Sequence, residues 1–504
     1  MFSNNLGGNN DDDHSAKDFY QKAVVIYEQE GKLDQVANAY SQLGIIAQKQ
    51  KQYEKAKFYY QKSLTILVDS GNMQQAATVY YQLGQLSEQQ NRFDEAISFY
   101  HKSETIFTDS GNANAVADSY WGIANIYLIQ YKFQDASNYY QKALGIFINN
   151  QDIYKSAFIY HQLGLVAQQA NWFEEAKEYY HKALEIRQNI NDSVNAASDC
   201  GQLGLVYRQL RRFNESINYF KTALQIYEAA QDLPNQAKIY HNLGIIAHDQ
   251  RHLHEAQEFY HHALKIKEKI GDSHGTACQC HNLGIVFQEL GEYKQARSFF
   301  QKALEIKESL FDFQGCAREY HHLGTIAQLE KKPDLASSYY YKALSIYQHA
   351  GNISSIGDEY HHLGILAYEC QDWQRSKDFF QEALNIYEST GDINNAADGY
   401  YQLGLLALQQ REFEEAMNQL LKALTIFLER EDAHKLQFCI KQLGRLLSEV
   451  GEKKFDRLWY GINSCEYPPA LWELIRESAS LQYQCQPLNY WQRIRNQISR
   501  FFGW

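Results

Sequence analysis

The sequence is short of helix breakers. Only five prolines occur in 504 residues, at Pro234, Pro333, Pro468, Pro469 and Pro487. Two fall near joints of a repeat and three lie beyond residue 460, so most of the chain is free to be helical. No apolar run is long enough to cross a bilayer, and Met1-Phe2-Ser3-Asn4-Asn5 leads into Asp11-Asp12-Asp13 rather than into a secretory leader. Cytoplasmic residence is the expectation. Basic stripes are missing too: the formal charge of -12 argues against general nucleic-acid binding, because little is present to replace phosphate counterions, although a small basic site stays open. Of eight cysteines, six lie among the repeats, with no disulfide framework and no zinc spacing. Cys278 and Cys280, two apart on a predicted helix, point in different directions. A phosphate-cradling glycine loop, a nucleophile elbow and a His-Glu-x-x-His pair are all absent, so neither an enzyme nor a cofactor is expected.

What the sequence has in quantity is repetition. Stepping by forty from Gly44 meets Gly84, Ala124, Gly164, Gly204, Gly244, Gly284, Gly324, Gly364, Gly404 and Gly444, so ten of eleven positions are glycine. A period held over four hundred residues marks stacked supersecondary units rather than a globular domain. Within one unit, Ala76, Ala77, Tyr80, Leu83 and Leu86 recur mostly at spacings of three, the pattern of an amphipathic helix. Asn91-Arg92 is the turn, and a second helix from Phe93 to about Phe107 presents Phe93, Ala96, Phe99, Tyr100 and Ile106. The joint Asp109-Ser110-Gly111-Asn112 closes the unit, glycine supplying a left-handed residue and the polar groups a cap for the next helix. Gly44, Ala56 and their copies are expected where antiparallel helices cross. Tyr60, Tyr100, Tyr140, Tyr180, Tyr260 and Tyr340 are expected to fill the space between one pair and the next, which accounts for the 14% aromatic content without a ligand.

The run Tyr-x-x-Leu-Gly-x-x-Ala, then in most units Tyr or Phe with Ala three residues on, then Tyr-x-x-Ala-Leu, resembles the tetratricopeptide repeat in a forty-residue form. That form is similar to arrays in kinesin light chains, in the mitotic-spindle scaffold family and in bacterial signalling and defence proteins. The resemblance implies an all-α, right-handed superhelical solenoid of antiparallel helix pairs. It covers residues 16–460: a leading helix, ten full repeats from 32 to 431 and a closing unit. Residues 1–15 read as a flexible leader and 461–504 as a helical cap or docking segment. Gly122-Ile123-Ala124 displaces one glycine and predicts a local distortion of the third full repeat.

In the family the first helix of each pair lines the concave surface, and two of its peptide-contacting positions map to the residues after the leading aromatic. The first column holds Ser41, Tyr81, Trp121, His161, Gly201, His241, His281, His321, His361 and Tyr401; the second holds Gln42, Gln82, Gly122, Gln162, Gln202, Asn242, Asn282, His322, His362 and Gln402. Three readings of the in-phase histidines stand beside each other: metal binding, hydrogen bonding between neighbouring helices, and contact with a ligand. Equivalent positions on stacked helices are expected about 10 Å apart, too far for a metal. An aromatic, imidazole and amide lining suits an extended peptide backbone, while the lysine and arginine of the family's carboxylate clamp are missing. The C-terminal stretch sets Trp491, Ile494, Ile498, Phe501, Phe502 and Trp504 beside three arginines and no acid. It reads as a cap, as a helix docking on a partner or back into the groove, or as an interfacial membrane contact; it also offers a contact for self-association. The function expected is a noncatalytic scaffold or adaptor for a protein or peptide partner. The alternative is a regulatory or sensor subunit of a larger signalling or antiviral defence enzyme assembly.

Overall fold

The computed structural model of the chain describes residues 10–430, 432–463 and 468–479. It divides into two compact units, Met1–Gln250 and Arg251–Trp504. Every described element is a helix.

The first unit opens with the helix Asn10–Gln29, which begins inside the stretch read as a leader. First helices follow from Leu33, Met73, Ala113, Ile153, Ser193 and Leu233, and second helices from Tyr53, Phe93, Phe133, Phe173 and Phe213. The second unit opens with Leu253–Lys269, and its later helices start in the same register, at Ser273, Phe313, Ile353, Ile393 and Ala433 and at Tyr293, Pro333, Trp373 and Phe413. Short turns join them, so successive helices in each unit run antiparallel and pack pairwise as a solenoid of the tetratricopeptide type.

Caps explain why the register holds. From Met73 onward each first helix has asparagine or aspartate at its N-cap, and the side chain accepts from a backbone N–H three residues on, as Asn112 does from Ala115 and Asp272 from Gly275. Each such cap is worth about 1 kcal/mol. At the preceding joint Gly71, Gly111, Gly271, Gly351 and Gly391 take positive φ, where a side chain would strain the backbone. The same joint at Phe311 carries an aromatic at φ 56, and its ring is 77% exposed.

Glycine at the crossing point has a measurable reason. A Cβ on Gly44 would lie 2.5 Å from Tyr60 Cε1, and one on Gly284 would lie 2.5 Å from Phe300 Cε1. The large aromatics therefore seat on the glycine of their own pair, which refines the expectation that they fill only the gap between pairs. They reach that gap as well: a Cβ on Gly122 would meet Tyr100 of the preceding pair at 2.7 Å. The expected distortion at Gly122-Ile123-Ala124 does not occur. Ala113–Ile129 is a regular 17-residue helix, the shifted glycine makes room for Tyr100, and Ala124 and Tyr140 are both fully buried.

The last repeat is closed by the helices Glu452–Asn463 and Pro469–Ala479. Phe455, Trp459, Leu471, Leu474 and Ile475 join Leu443, Leu446 and Leu447 in one buried cluster. Ser478 sits against Gly444, where a Cβ would be 2.0 Å from its Oγ. Trp491, Ile494, Ile498, Phe501, Phe502 and Trp504 lie outside the described residues, so the three readings of that segment gain nothing here.

Candidate partner-binding surface

Each large aromatic of a second helix is held between two columns of first-helix residues. In four pairs the first helix of the same pair supplies both the glycine and an inclined imidazole: His161 against Tyr180 at 5.5 Å between centroids, His281 against Phe300 at 6.0 Å, His321 against Tyr340 at 5.8 Å and His361 against Phe380 at 5.6 Å. The next pair supplies the second column, and His322 lies flat on Phe300 at 4.8 Å and 7° while His362 covers Tyr340 at 5.6 Å and 26°. Where the aromatic is tyrosine, its hydroxyl usually donates to a residue twelve earlier: Tyr60 to Gln48, Tyr100 to Glu88, Tyr180 to Gln168 and Tyr340 to Gln328, at 2.8 to 2.9 Å.

The histidines have buried acidic partners that sequence reading missed. His161 Nδ1 donates to Asp199 at 2.6 Å, His281 to Glu319 at 2.8 Å and His321 to Glu359 at 2.8 Å, each thirty-eight residues on. Asp199 and Glu319 are completely buried and Glu359 is 2% exposed. Two of the three acids also hold a buried cation, Asp199 with Arg187 at 2.6 Å and Glu319 with Lys307 at 2.5 Å. Burial raises the Glu359 carboxyl above its usual range, against the opposing pull of His321. His361 shows the rule by exception: the position thirty-eight further on is Gly399, and Nδ1 of His361 is buried without a hydrogen-bond partner. A signal was present in the sequence. First-column residues that are not histidine, such as Ser41, Trp121 and Gly201, are answered by Val79, Ile159 and Ile239 rather than by an acid.

Other first-column residues take different surroundings. Tyr81 leans on Tyr100 at 5.3 Å, Trp121 on Phe158 at 4.7 Å, and burial pushes the Tyr401 hydroxyl up to about 12. Asn242 and Asn282 turn back along their own helices, to the Lys238 carbonyl at 2.9 Å and the Cys278 sulfur at 3.9 Å. His241 is partly buried at the end of the first unit. The columns are thus brought into the seams between repeats, with their outer edges still accessible.

Concavity is found in the first unit. A depression of about 510 Å³ is lined by Asn72, Tyr81, Asn112 and Asp118, and a second of about 210 Å³ by Asn38, Ser41, Gln42 and Gln82. Gln75 and Thr78 line both and form the wall between them. Leu67, Val79, Phe107 and Ala115 supply an apolar part of the lining, and its polar part is amide and hydroxyl with one carboxylate, Asp118, which Lys155 holds at 2.7 Å. Such groups offer two-way hydrogen bonds and little fixed charge. Among the described residues, no group of three His, Cys, Asp or Glu side chains could hold a metal ion, and no helix is long and apolar enough to cross a membrane.

The tetratricopeptide repeat model matches residues 9–67, 75–149, 155–229, 235–309 and 360–429. The chain belongs to the tetratricopeptide repeat family. Its match is to the repeat itself and does not separate a kinesin-light-chain, spindle-scaffold or defence branch. No curated protein matches the chain. Among solved structures, the chain is similar to a signal transduction ATPase with numerous domains carrying a tetratricopeptide repeat sensor, from Pyrococcus horikoshii. That likeness has 18% identity and a TM-score of 0.50, over 66% of this chain and 53% of that one, so this chain spans about half of that protein. BtubC from P. vanneervenii is 23% identical over 44% of this chain and 91% of that one, with a TM-score of 0.40. The quorum sensor NprR from B. thuringiensis is 16% identical over 75% and 99%, at 0.44. At these identities the likeness concerns the fold alone.

Proposed function

We propose that the protein is a scaffold or adaptor that holds a partner polypeptide in extended form against its first helices, with the deepest contact in the first unit. The observation that carries this reading is the pair of adjoining depressions divided by Gln75 and Thr78. An extended peptide rises about 3.3 Å per residue and exposes one N–H and one C=O each time. Asn38, Gln42, Asn72 and Gln82 supply matching donors and acceptors, and Tyr81 an aromatic edge. The remaining contacts belong to the column from Trp121 through His161 and His241 in the first unit, and to the equivalent residues from His281 to Tyr401 in the second.

The test is a partner recovered with the full chain and identified by mass spectrometry, followed by titration against Thr78→Arg. Thr78 is exposed, so the longer side chain fills both depressions without entering the core. A tenfold or greater loss of affinity with unchanged helix content supports the reading; undiminished affinity overturns it. A second reading, a sensor or regulatory subunit of a larger assembly, draws support from the repeat sensor named for the Pyrococcus protein. It predicts that the recovered partner is an enzyme whose rate changes on binding.

A further inference from the structure

Five imidazoles form a continuous run through the first helices Ser273–Glu289, Phe313–Leu329 and Ile353–Glu369. Ring centroids are 5.1 Å apart from His281 to His322, 5.5 Å from His322 to His321, 4.6 Å from His321 to His362 and 6.0 Å from His362 to His361. Two of these rings are the filling of the seams, His322 flat on Phe300 and His362 on Tyr340. We propose that this run is an acid-operated joint: its neutral rings close the seams between three successive repeats, and proton uptake parts them.

The charges around each ring set the direction. His322 faces Lys307 from the helix Tyr293–Ser309, His281 from Ser273–Glu289, and Arg318 and His321 from its own helix. His362 faces His321 from the preceding first helix and His361 from its own. The acids are already engaged: Glu319 by His281 and Lys307, Glu359 by His321, and, facing His361, Asp358 of its own helix by Tyr387 and Asp398 of the helix Ile393–Gln410 by Lys435 of Ala433–Val450. A proton on His322 would therefore enter a desolvated place beside Lys307 and Arg318, and one on His362 a desolvated place beside two further imidazoles. A cation over an aromatic face recovers less than the loss of hydration costs a buried ion.

Burial, and then the neighbouring histidines, lower His322 to about 2 and His362 to about 3; burial also lowers His361. The parted form, with imidazoles near about 6.5, binds more protons than the closed form between that value and the lowered ones, so closure weakens as pH falls through this window. At pH 5 each freed imidazole favours the parted form by roughly 30-fold. Glu359 works in the opposite sense, since its raised carboxyl takes up a proton more readily when closed, and its contribution grows toward lower pH. A net loss of at least tenfold in closure is expected at pH 5.

Hydrogen exchange of the full chain at pH 7.5 and 5.0, each corrected for intrinsic exchange, tests this without any partner. Residues 273–369 should lose at least tenfold in protection relative to residues 33–149, whose columns carry Ser41, Tyr81, Trp121, Gln42, Gln82 and Gly122 and no histidine. The double variant His322→Gln and His362→Gln should abolish that difference, glutamine being what this chain places in the same column at Gln82, Gln162, Gln202 and Gln402. Equal changes in both segments of the unmodified protein would overturn the proposal, as would a double variant that keeps the acid response. If the double variant lacks native helix content at pH 7.5, the comparison within the unmodified protein decides.

Discussion

Replacing Phe300 by tyrosine should stabilise the second unit, although it adds a polar group to a fully buried ring. The reason is an orphan twelve residues earlier: Oε1 of Gln288 is buried and has no hydrogen-bond partner. The chain has already solved this problem three times, because Tyr60, Tyr180 and Tyr340 donate to Gln48, Gln168 and Gln328 at 2.8 to 2.9 Å. Tyr340 is the close template, since it too is seated on a glycine, has a histidine at its edge and carries a histidine on its face. A new buried hydrogen bond contributes about 1 kcal/mol net, and relief of an unsatisfied acceptor about 1 to 3 kcal/mol, so a gain near 1 to 2 kcal/mol is reasonable. Phe220 repeats the situation with Arg208, whose Nη1 is also orphaned. Repeat arrays open locally, so a single global unfolding energy is the wrong measure. Native-state hydrogen exchange of the helices Ser273–Glu289 and Tyr293–Ser309 should instead show protection raised by about 5- to 30-fold. The reverse change, Tyr180→Phe, should lower protection around Gln168 by a similar factor. Unchanged or reduced protection in Phe300→Tyr, together with no loss in Tyr180→Phe, would refute the argument.

Other outcomes follow from the same geometry. Glu319→Ala strands Lys307, which is 7% exposed, and should cost about 3 to 5 kcal/mol, read as lost local protection in hydrogen exchange. Gly284→Ala brings a Cβ to 2.5 Å from a ring that His322 pins on its other face, and should cost about 1 to 3 kcal/mol by overpacking, measured as lost hydrogen-exchange protection in the helices Ser273–Glu289 and Tyr293–Ser309. Phe311→Gly removes a bulky left-handed residue at a joint where six others use glycine, and should be neutral or stabilising by up to about 1 kcal/mol while reducing exposed apolar surface. Asp272→Ala removes the cap on Gly275 and should cost about 1 kcal/mol, visible as fraying of the helix Ser273–Glu289 in hydrogen exchange.

The sequence by itself determined the helices, their order and their ends. The forty-residue period, the scarcity of proline and the Gly-Asn or Gly-Asp joints act through local backbone energetics, which need no knowledge of distant neighbours. That is why the helix starts at Met73, Ile153 and Ile353 keep one phase. Stacking was also legible in outline, since a column of glycines opposite a column of aromatics has few other uses. Tertiary structure decided what each column meets. His281 and Glu319 stand thirty-eight residues apart, one repeat less two positions, and only the stacking of one first helix on the next brings them within 2.8 Å. The same stacking gave His322 and His362 to the seams, left Nδ1 of His361 without a partner, and set two adjoining depressions on either side of Gln75 and Thr78. Periodicity fixes which face a side chain occupies; the offset between neighbouring helices, set by how their side chains pack, fixes its partner.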